Sequence, residues 1–481
     1  MKTNTLDFDA QALRERILDL AMRGKLVPQD PNDEPASVLL EKIKAEKEEL
    51  VKEKKIKKSK PLPAITDDEK PFNIPDSWEW VRFSELFNIE GGSQPPKSTF
   101  SDTGGKGKIR LFQIRDYGEN PVPVYIPIDK AKKISQIGDI LLARYGASLG
   151  KVFFAEYGAY NVALAKVLFN FKSEDFILKK YLFYYFKSEL YQNFVRSNSR
   201  SAQAGFNKSD LNRLVFPVPP ISEQKRIAAK IAQLFALLRK VESSTQQYAE
   251  LQTLLKSKVL NLAMRGKLVK QDPNDEPASV LLEKIKGEKA ELAKEKKIKK
   301  SKPLPPITDE EKPFDIPDSW EWVRLGDILK PEIHQKPQQN FLYIDIASVD
   351  NTINKITNPT KVNVSNDKIA SRARELLDSD DILFSVVRPY LKNIAMVPNT
   401  SDYKIGSTGF YVLKPFSLID RKYIFYLVLS NYVIQNMTKK MKGDNSPSIR
   451  KGDLQNLVVP LPPRVEQKHI VDKIISLYKL I

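Results

Sequence analysis

Cysteine is absent from the 481 residues. That excludes disulfides and any thiolate metal site. The chain has only 2 histidines, His334 in a polar PEIHQKPQQN stretch and His469 in a helical pattern. Both read as solvated surface residues, and neither a metal centre nor histidine-based catalysis is expected. No apolar run approaches the roughly 18 residues that a membrane-spanning helix needs, and the opening MKTNTLDFDAQALRERIL lacks the apolar centre of a signal peptide. A cytoplasmic protein with no membrane partner is the expectation. Enzyme signatures are missing as well. There is no NPP[FY] or DPPY motif with a glycine-rich cofactor loop, and no Walker A sequence. Gly146-Ala-Ser-Leu-Gly150-Lys151-Val152 has one residue too few between its glycines and no Ser or Thr after the lysine. It reads as a turn between strands.

What is present begins with charge. A net charge of +18 and a pI near 9.5 point to a polyanionic partner, because lysine and arginine gain affinity by displacing counterions from phosphates. A membrane surface would demand an amphipathic helix with large apolar residues opposite its basic face. The KEKKIKKSK runs at 52–60 and 294–302 offer one isoleucine each. They follow short stripes of Leu39, Leu40, Ile43, Leu50 and Val51, and of Leu281, Leu282, Ile285, Leu292 and Ala293. Each segment reads as a solvated helix ending in a basic linker stopped by proline, and its basic run either as a soluble face or as a contact for DNA backbone or a partner subunit. The paired acids Asp67/Asp68 and Asp309/Glu310 in those linkers read as solvated charge.

The chain also repeats itself. Residues 18–82 return at 260–324 without a gap, with 57 of 65 positions identical. The sequences after each copy differ until DLNRLVFPVPPISEQKRIAAKI (210–231) meets its counterpart DLQNLVVPLPPRVEQKHIVDKI (453–474). Two similar frames therefore hold two different inserts, and the length accommodates two to four domains.

A proline-free stretch from Ile221 to about Lys267 predicts one long helix. Steps of four and three give Ile227, Ile231, Leu234, Leu238, Val241, Thr245, Tyr248, Gln252, Leu255, Val259 and Leu262, nine of the eleven apolar, a seam of coiled-coil type. Ile470, Ile474, Leu477 and Ile481 continue that phase in the second copy. Leu13, Ile17 and Leu20 match Leu255, Val259 and Leu262. The C-terminal helix, shorter than its central twin, is expected to lie antiparallel to it, and the terminal helices together to complete a pseudo-two-fold spacer between the inserts.

Each insert reads as a mixed α/β domain. KIRLFQIRDYG, GDILLARYGASLGKVFFAE and NVALAKVLFNF are β-rich, and YLFYYFKSELYQNFVRS reads as a helix. FLYIDIASVD, DDILFSVVRPYLKNIAMVP, STGFYVLKPF and RKYIFYLVLSNYVIQNMTKKMK mirror them. Both inserts then pass through a polar loop, SNSRSAQAGFNKSD or KGDNSPSIRKGD, into a final strand. Those loops, with the turns before them, carry side chains suited to base edges and phosphates. Arg144, Lys151, Arg200, Gln203, Asn207 and Lys208 in the first insert, and Arg388, Lys392, Lys440, Lys442, Asn445 and Arg450 in the second, are the candidate DNA-binding residues.

The paired IPDSWEWVRFSEL and IPDSWEWVRLGDI, the paired P-x-P-P-x-x-E-Q (Pro217, Pro219, Pro220, Glu223, Gln224 and Pro460, Pro462, Pro463, Glu466, Gln467), the long helix after each EQ and the RYGASLGKV segment together resemble the specificity subunits of type I restriction–modification systems. The resemblance covers essentially the whole chain. It implies two α/β target-recognition domains, each reading half of a bipartite asymmetric site in double-stranded DNA. Long antiparallel coiled-coil helices separate them, and two modification subunits dock on these helices. It further implies restriction subunits in the complex, and S-adenosylmethionine, ATP and Mg on those partners, with no catalytic residue, metal or cofactor on this chain. The expected divisions are 1–82 (shared helix, basic helix and linker), 83–220 (first recognition domain), 221–324 (central shared segment), 325–463 (second recognition domain) and 464–481 (C-terminal helix). A coiled-coil scaffold without sequence-specific DNA binding, or a nuclease or methylase with unfamiliar motifs, are the competing readings.

Overall fold

The computed structural model describes residues 8–58, 62–198, 205–298 and 303–481. They form two compact units, Met1–Thr245 and Gln246–Ile481, and the chain passes from one to the other inside a single helix, Ile221–Met264.

Both units are built alike. In the first, an antiparallel sheet runs in the order Phe87–Gly91, Leu164–Phe169, Ile140–Ala143, Val152–Phe154. A second sheet runs Tyr125–Pro127, Lys108–Phe112, Gly158–Tyr160, Ile134–Ser135, its middle pair parallel. The second unit repeats both, as Leu329–Lys330, Phe410–Pro415, Ile382–Ser385, Ile394–Met396, and as Thr360–Val362, Phe341–Ile344, Lys404–Ser407, Ala373–Leu377, the middle pair again parallel.

Each insert is closed by a two-stranded antiparallel clasp that pairs a frame strand with the insert's last strand, Glu79–Arg82 against Val215–Val218 and Glu321–Arg324 against Val458–Leu461. The shared motifs explain themselves here. The Trp78 indole donates to Glu223 Oε2 at 2.8 Å and the Gln29 amide to Glu223 Oε1 at 2.5 Å. Trp320, Gln271 and Glu466 repeat the arrangement at 2.8 and 2.6 Å. Burial raises both carboxyls above the usual range, against the lowering by their indole and amide donors. The adjacent Gln224 and Gln467 are fully buried and bind backbone on both sides: Leu178 N and Pro219 O for the first, Asp420 N and Pro462 O for the second. The E-Q pair thus pins the start of each frame helix to linker and insert together. Glu223→Ala would leave a buried indole N–H unpaired, at roughly 1–3 kcal/mol for that donor alone. A urea midpoint unchanged from wild type would refute this role.

Arg82 and Arg324 grip Glu69 and Glu311 bidentately at 2.6–2.8 Å and hold both carboxyls down to about 2. This ties each proline-rich linker to its clasp. Asp67 and Asp309 are exposed, as expected, each 2.6–2.7 Å from a lysine. Gly24 and Gly266 end the preceding helices at φ +67° and +66°, where a Cβ would strike Pro75 or Pro317.

Three expectations need correction. The helices Ala36–Lys52 and Ala278–Lys294 are not wholly solvated, since Leu39, Ile43, Leu281 and Ile285 are buried in the cores of their units. Each aromatic helix at the end of an insert is two helices, Lys179–Lys187 with Glu189–Asn198 and Arg421–Leu429 with Asn431–Lys440. Ser188 and Ser430 stand between them in extended conformation, and the Ser430 hydroxyl caps the second helix by accepting from Val433 N. The seam is buried at Ile227, Ile231, Leu238 and Val259, but Val241, Tyr248 and Leu255 are exposed. Within the first unit, helix Ala10–Met22 packs antiparallel to the central helix, with Arg14 paired to Glu242 and Asp33, beyond the turn, to Arg226. Within the second, helix Arg464–Leu480 does the same, Ile481 O accepting from Gln252 and the Tyr478 hydroxyl donating to Lys256 O.

Candidate nucleic-acid interface

In each unit two segments distant in sequence converge. The strand Ile140–Ala143 turns through 144–151 before returning as Val152–Phe154, and Tyr145 in that turn bridges to Gly205 in the polar loop before the final strand. Phe206 N donates to Arg144 O at 3.3 Å and Arg144 Nε to Phe206 O at 3.4 Å. In the second unit the turn between Ile382–Ser385 and Ile394–Met396 bridges through Val387 to Ser448. Arg388 N donates to Pro447 O at 2.8 Å, Ile449 N to Val386 O at 2.9 Å, and the Arg388 guanidinium to Asn445 O at 2.8 Å.

Ten of the twelve candidate residues can be placed, while Arg200 and Gln203 lie outside the described residues. Arg144 is half-buried, its guanidinium 5.1 Å from the Tyr145 ring centroid. Lys151, Asn207 and Lys208 are exposed. The Asn207 side-chain oxygen Oδ1 is committed to its own loop, accepting from Ser209 N, Ser209 Oγ and Asp210 N. In the second unit Arg388, Lys440, Lys442, Asn445 and Arg450 are exposed. Lys442 pairs with Ser448 through the backbone, and Arg450 N donates to Asp453 at 2.8 Å, opening the short helix Lys451–Gln455. Lys392 is half-buried; burial lowers its ammonium, which lies 3.2 Å from Asn431 Oδ1 at the start of helix Asn431–Lys440. Lys440 stands at the far end of that helix, ~13 Å along its axis. The structure therefore brings Arg388, Lys442 and Asn445 together, with Lys440 two residues before Lys442 at the end of that helix.

Behind this group Lys451 is gripped by two carboxylates. Its ammonium is 2.8 Å from Glu332 and 2.8 Å from the fully buried Glu375, whose other oxygen lies 3.0 Å from His334 Nδ1. Burial raises the Glu332 carboxyl, opposed by Lys451 and by the bond from Val412 N. These three acidic and imidazole groups are close enough to hold a metal ion, but Lys451 already supplies the cation between the carboxylates. The network fixes the helix that follows Arg450 onto the sheet.

The turns share a backbone signature that sequence reading missed. Gly146 and Gly150 take φ +69° and +81°; at the matching positions, 242 residues on, Arg388 and Lys392 take φ 47° and 53°. Left-handed geometry costs a non-glycine residue roughly 1–2 kcal/mol. The glycine alignment was the available signal, but only tertiary structure shows that the lysine and arginine keep it.

The chain matches the family model described as the type I restriction modification DNA specificity domain twice, over residues 75–252 and 317–481. It is 33% identical to the EcoAI specificity subunit of Escherichia coli, over 97% of this chain and 88% of that protein. It is 36% identical to the EcoEI specificity subunit of Escherichia coli, over 67% of this chain and 62% of that one. Among solved structures, a chain from work on complex assembly and conformational transition of the type I R-M system shares its fold, with a TM-score of 0.55, 19% identity, and coverage of 85% of this chain and 92% of that one. Two matched domains on two similar α/β units, joined through one long helix, make this chain a member of the type I restriction–modification specificity-subunit family, the non-catalytic component that sets the DNA sequence its complex recognises.

Proposed function

We propose that this chain reads a bipartite, asymmetric duplex site, residues 83–220 taking one half-site and residues 325–463 the other. The observation that carries the reading is the same turn-and-loop pair, Tyr145 with Gly205 and Val387 with Ser448, presented on near-identical frames with different exposed side chains. The shared segments 1–82, 221–324 and 464–481 serve as frame and spacer. Exposed Leu237, Val241, Leu251, Leu254 and Leu255 on the central helix support docking of two modification subunits there. Restriction subunits complete the assembly, and S-adenosylmethionine, ATP and Mg act on those partners. The compartment is the cytoplasm; among the described residues no helix is long and apolar enough to cross a membrane.

Mapping methylated adenines in a host carrying the complete system tests this. Two short specified blocks separated by an unspecified gap are expected, and a continuous palindrome would overturn the two-reader reading. Binding should also weaken steeply with salt, by about 10³–10⁵ between 50 and 200 mM if six to ten phosphates are neutralised.

Single substitutions sort the placed cations. Alanine at a base-contacting member of the set should cost roughly 1–3 kcal/mol and relax one position of the motif. Alanine at a phosphate-contacting member should weaken all sequences alike and lower the salt slope by about one. Lys440, which ends the helix Asn431–Lys440 and is not part of the bridged turn and loop, is expected in the second class. A variant that leaves both affinity and motif intact removes its residue from the interface.

A further inference from the structure

The turn between Ile382–Ser385 and Ile394–Met396 has a tip that leaves two large apolar side chains substantially exposed. Pro389 is buried and fixes the turn, whereas Tyr390 is 46% and Leu391 39% exposed. Two basic residues flank them, and both are in the left-handed region where the first unit has glycines. The first unit's tip at the same place is Ala147-Ser148-Leu149, without an aromatic ring, and its nearby Tyr145 leans on Gly205 and the Arg144 guanidinium. The second unit thus keeps the glycine backbone path with residues that disfavour it, and gains a large apolar tip between two cations.

That tip is held rigidly. Asn351 Nδ2 donates to Leu391 O at 2.8 Å, and Asn354 Nδ2 to Lys392 O at 3.0 Å and Ile394 O at 3.1 Å. The Lys392 ammonium and Arg388 guanidinium reach Asn431 and Asn445 O. A preformed tip loses little conformational entropy on binding. Apolar side chains so presented to a duplex act as wedges that unstack a base step and bend the helix, while flanking cations meet the phosphates on either side.

We propose that Tyr390 and Leu391 form such a wedge, inserted between two base pairs of the half-site read by residues 325–463, and that the first domain leaves its own half-site stacked. The inference rests on the reading above that this turn belongs to the DNA face.

The test uses the chain assembled with its modification subunits and duplexes carrying 2-aminopurine at successive positions of each half-site, the methylated adenines excepted. Fluorescence should rise several-fold at one step of the second half-site and at none of the first. The double variant Tyr390→Ala/Leu391→Ala should lose that rise and bind intact duplex about ten-fold more weakly, comparable to one lost base contact. It should regain most of that affinity on a duplex mismatched at the same step, where stacking is already broken. Tyr390→Phe should keep the rise. The wedge is overturned if the wild-type complex gives no rise, if the double variant weakens intact and mismatched duplexes equally, or if it instead loses assembly with the modification subunits. The reading beneath it fails separately, if Arg388→Ala, Lys442→Ala and Arg450→Ala all bind as wild type; should those three weaken binding while the double variant keeps the fluorescence rise, only the wedge is lost.

Discussion

Replacing residues 83–220 with the corresponding insert of a family relative is expected to change one block of the methylated motif completely and leave the other block and the gap as they were. The junctions fall at the two ends of the clasp, where Phe83 N donates to Leu214 O at 2.8 Å and Val218 pairs with Glu79. Everything that seats the insert from the frame side stays in place: Trp78 on Glu223, Arg82 on Glu69, and the proline-rich linker under the clasp. The second unit keeps its own equivalents in Trp320, Glu466, Arg324 and Glu311. Its core cluster is built from residues beyond 245, and the continuous helix joins the two units. Because specific binding exceeds non-specific binding by about 10³–10⁷, the old site should fall to background while the hybrid site is fully methylated. Methylome mapping of the chimaera decides it. A change in both blocks would mean that the domains do not read independently.

Much of this was legible in the chain, and the reasons for the remainder are physical. The repeat revealed the two frames because duplicated segments face the same packing problem twice; Trp78 and Trp320 find identical partners. The long helix was legible because proline is absent and its apolar period is sustained. The roles of Glu223 and Gln224 were not, since Trp78 lies 145 residues away from the carboxylate it bonds and only folding joins them. The breaks at Ser188 and Ser430 are not legible because apolar periodicity continues across them, and a serine in extended conformation is a tertiary choice. The candidate interface was legible as loops rather than as geometry. Polar composition picks out Arg388, Lys442 and Asn445, which backbone bridges and a hydrogen bond bring together, and equally Lys440, which ends the helix just before them. Nothing in composition distinguishes a cation held in left-handed backbone, such as Lys392, from one on an ordinary turn. Nothing in the sequence singles out Tyr390 and Leu391, because an apolar residue in a β-rich run reads as core.

Inserting four residues between Ser243 and Ser244 should lengthen the unspecified gap by one or two base pairs without rewriting either block. Four residues add about 6 Å of helix, and B-DNA rises about 3.4 Å per base pair. The site of insertion is set by the packing on either side. Arg14 reaches the central helix at Glu242, and Ile481 meets it at Gln252. Between those anchors Ser244, Thr245, Tyr248 and Leu251 are exposed, so the added turn displaces no buried side chain. A four-residue step also keeps the apolar seam near its phase, leaving a rotation of about 40° between the flanking segments. That rotation acts on affinity, because both halves must meet grooves on one duplex, but it touches no side chain on either recognition turn. The variant should therefore methylate more weakly while specifying the same bases on both sides of a wider gap. Methylation maps of the insertion variant, compared with a three-residue insertion that throws the seam about 60° the other way, separate length from phase. An active four-residue variant with an unchanged gap would mean that contacts other than this helix, such as those made by the modification subunits, hold the two readers at their distance.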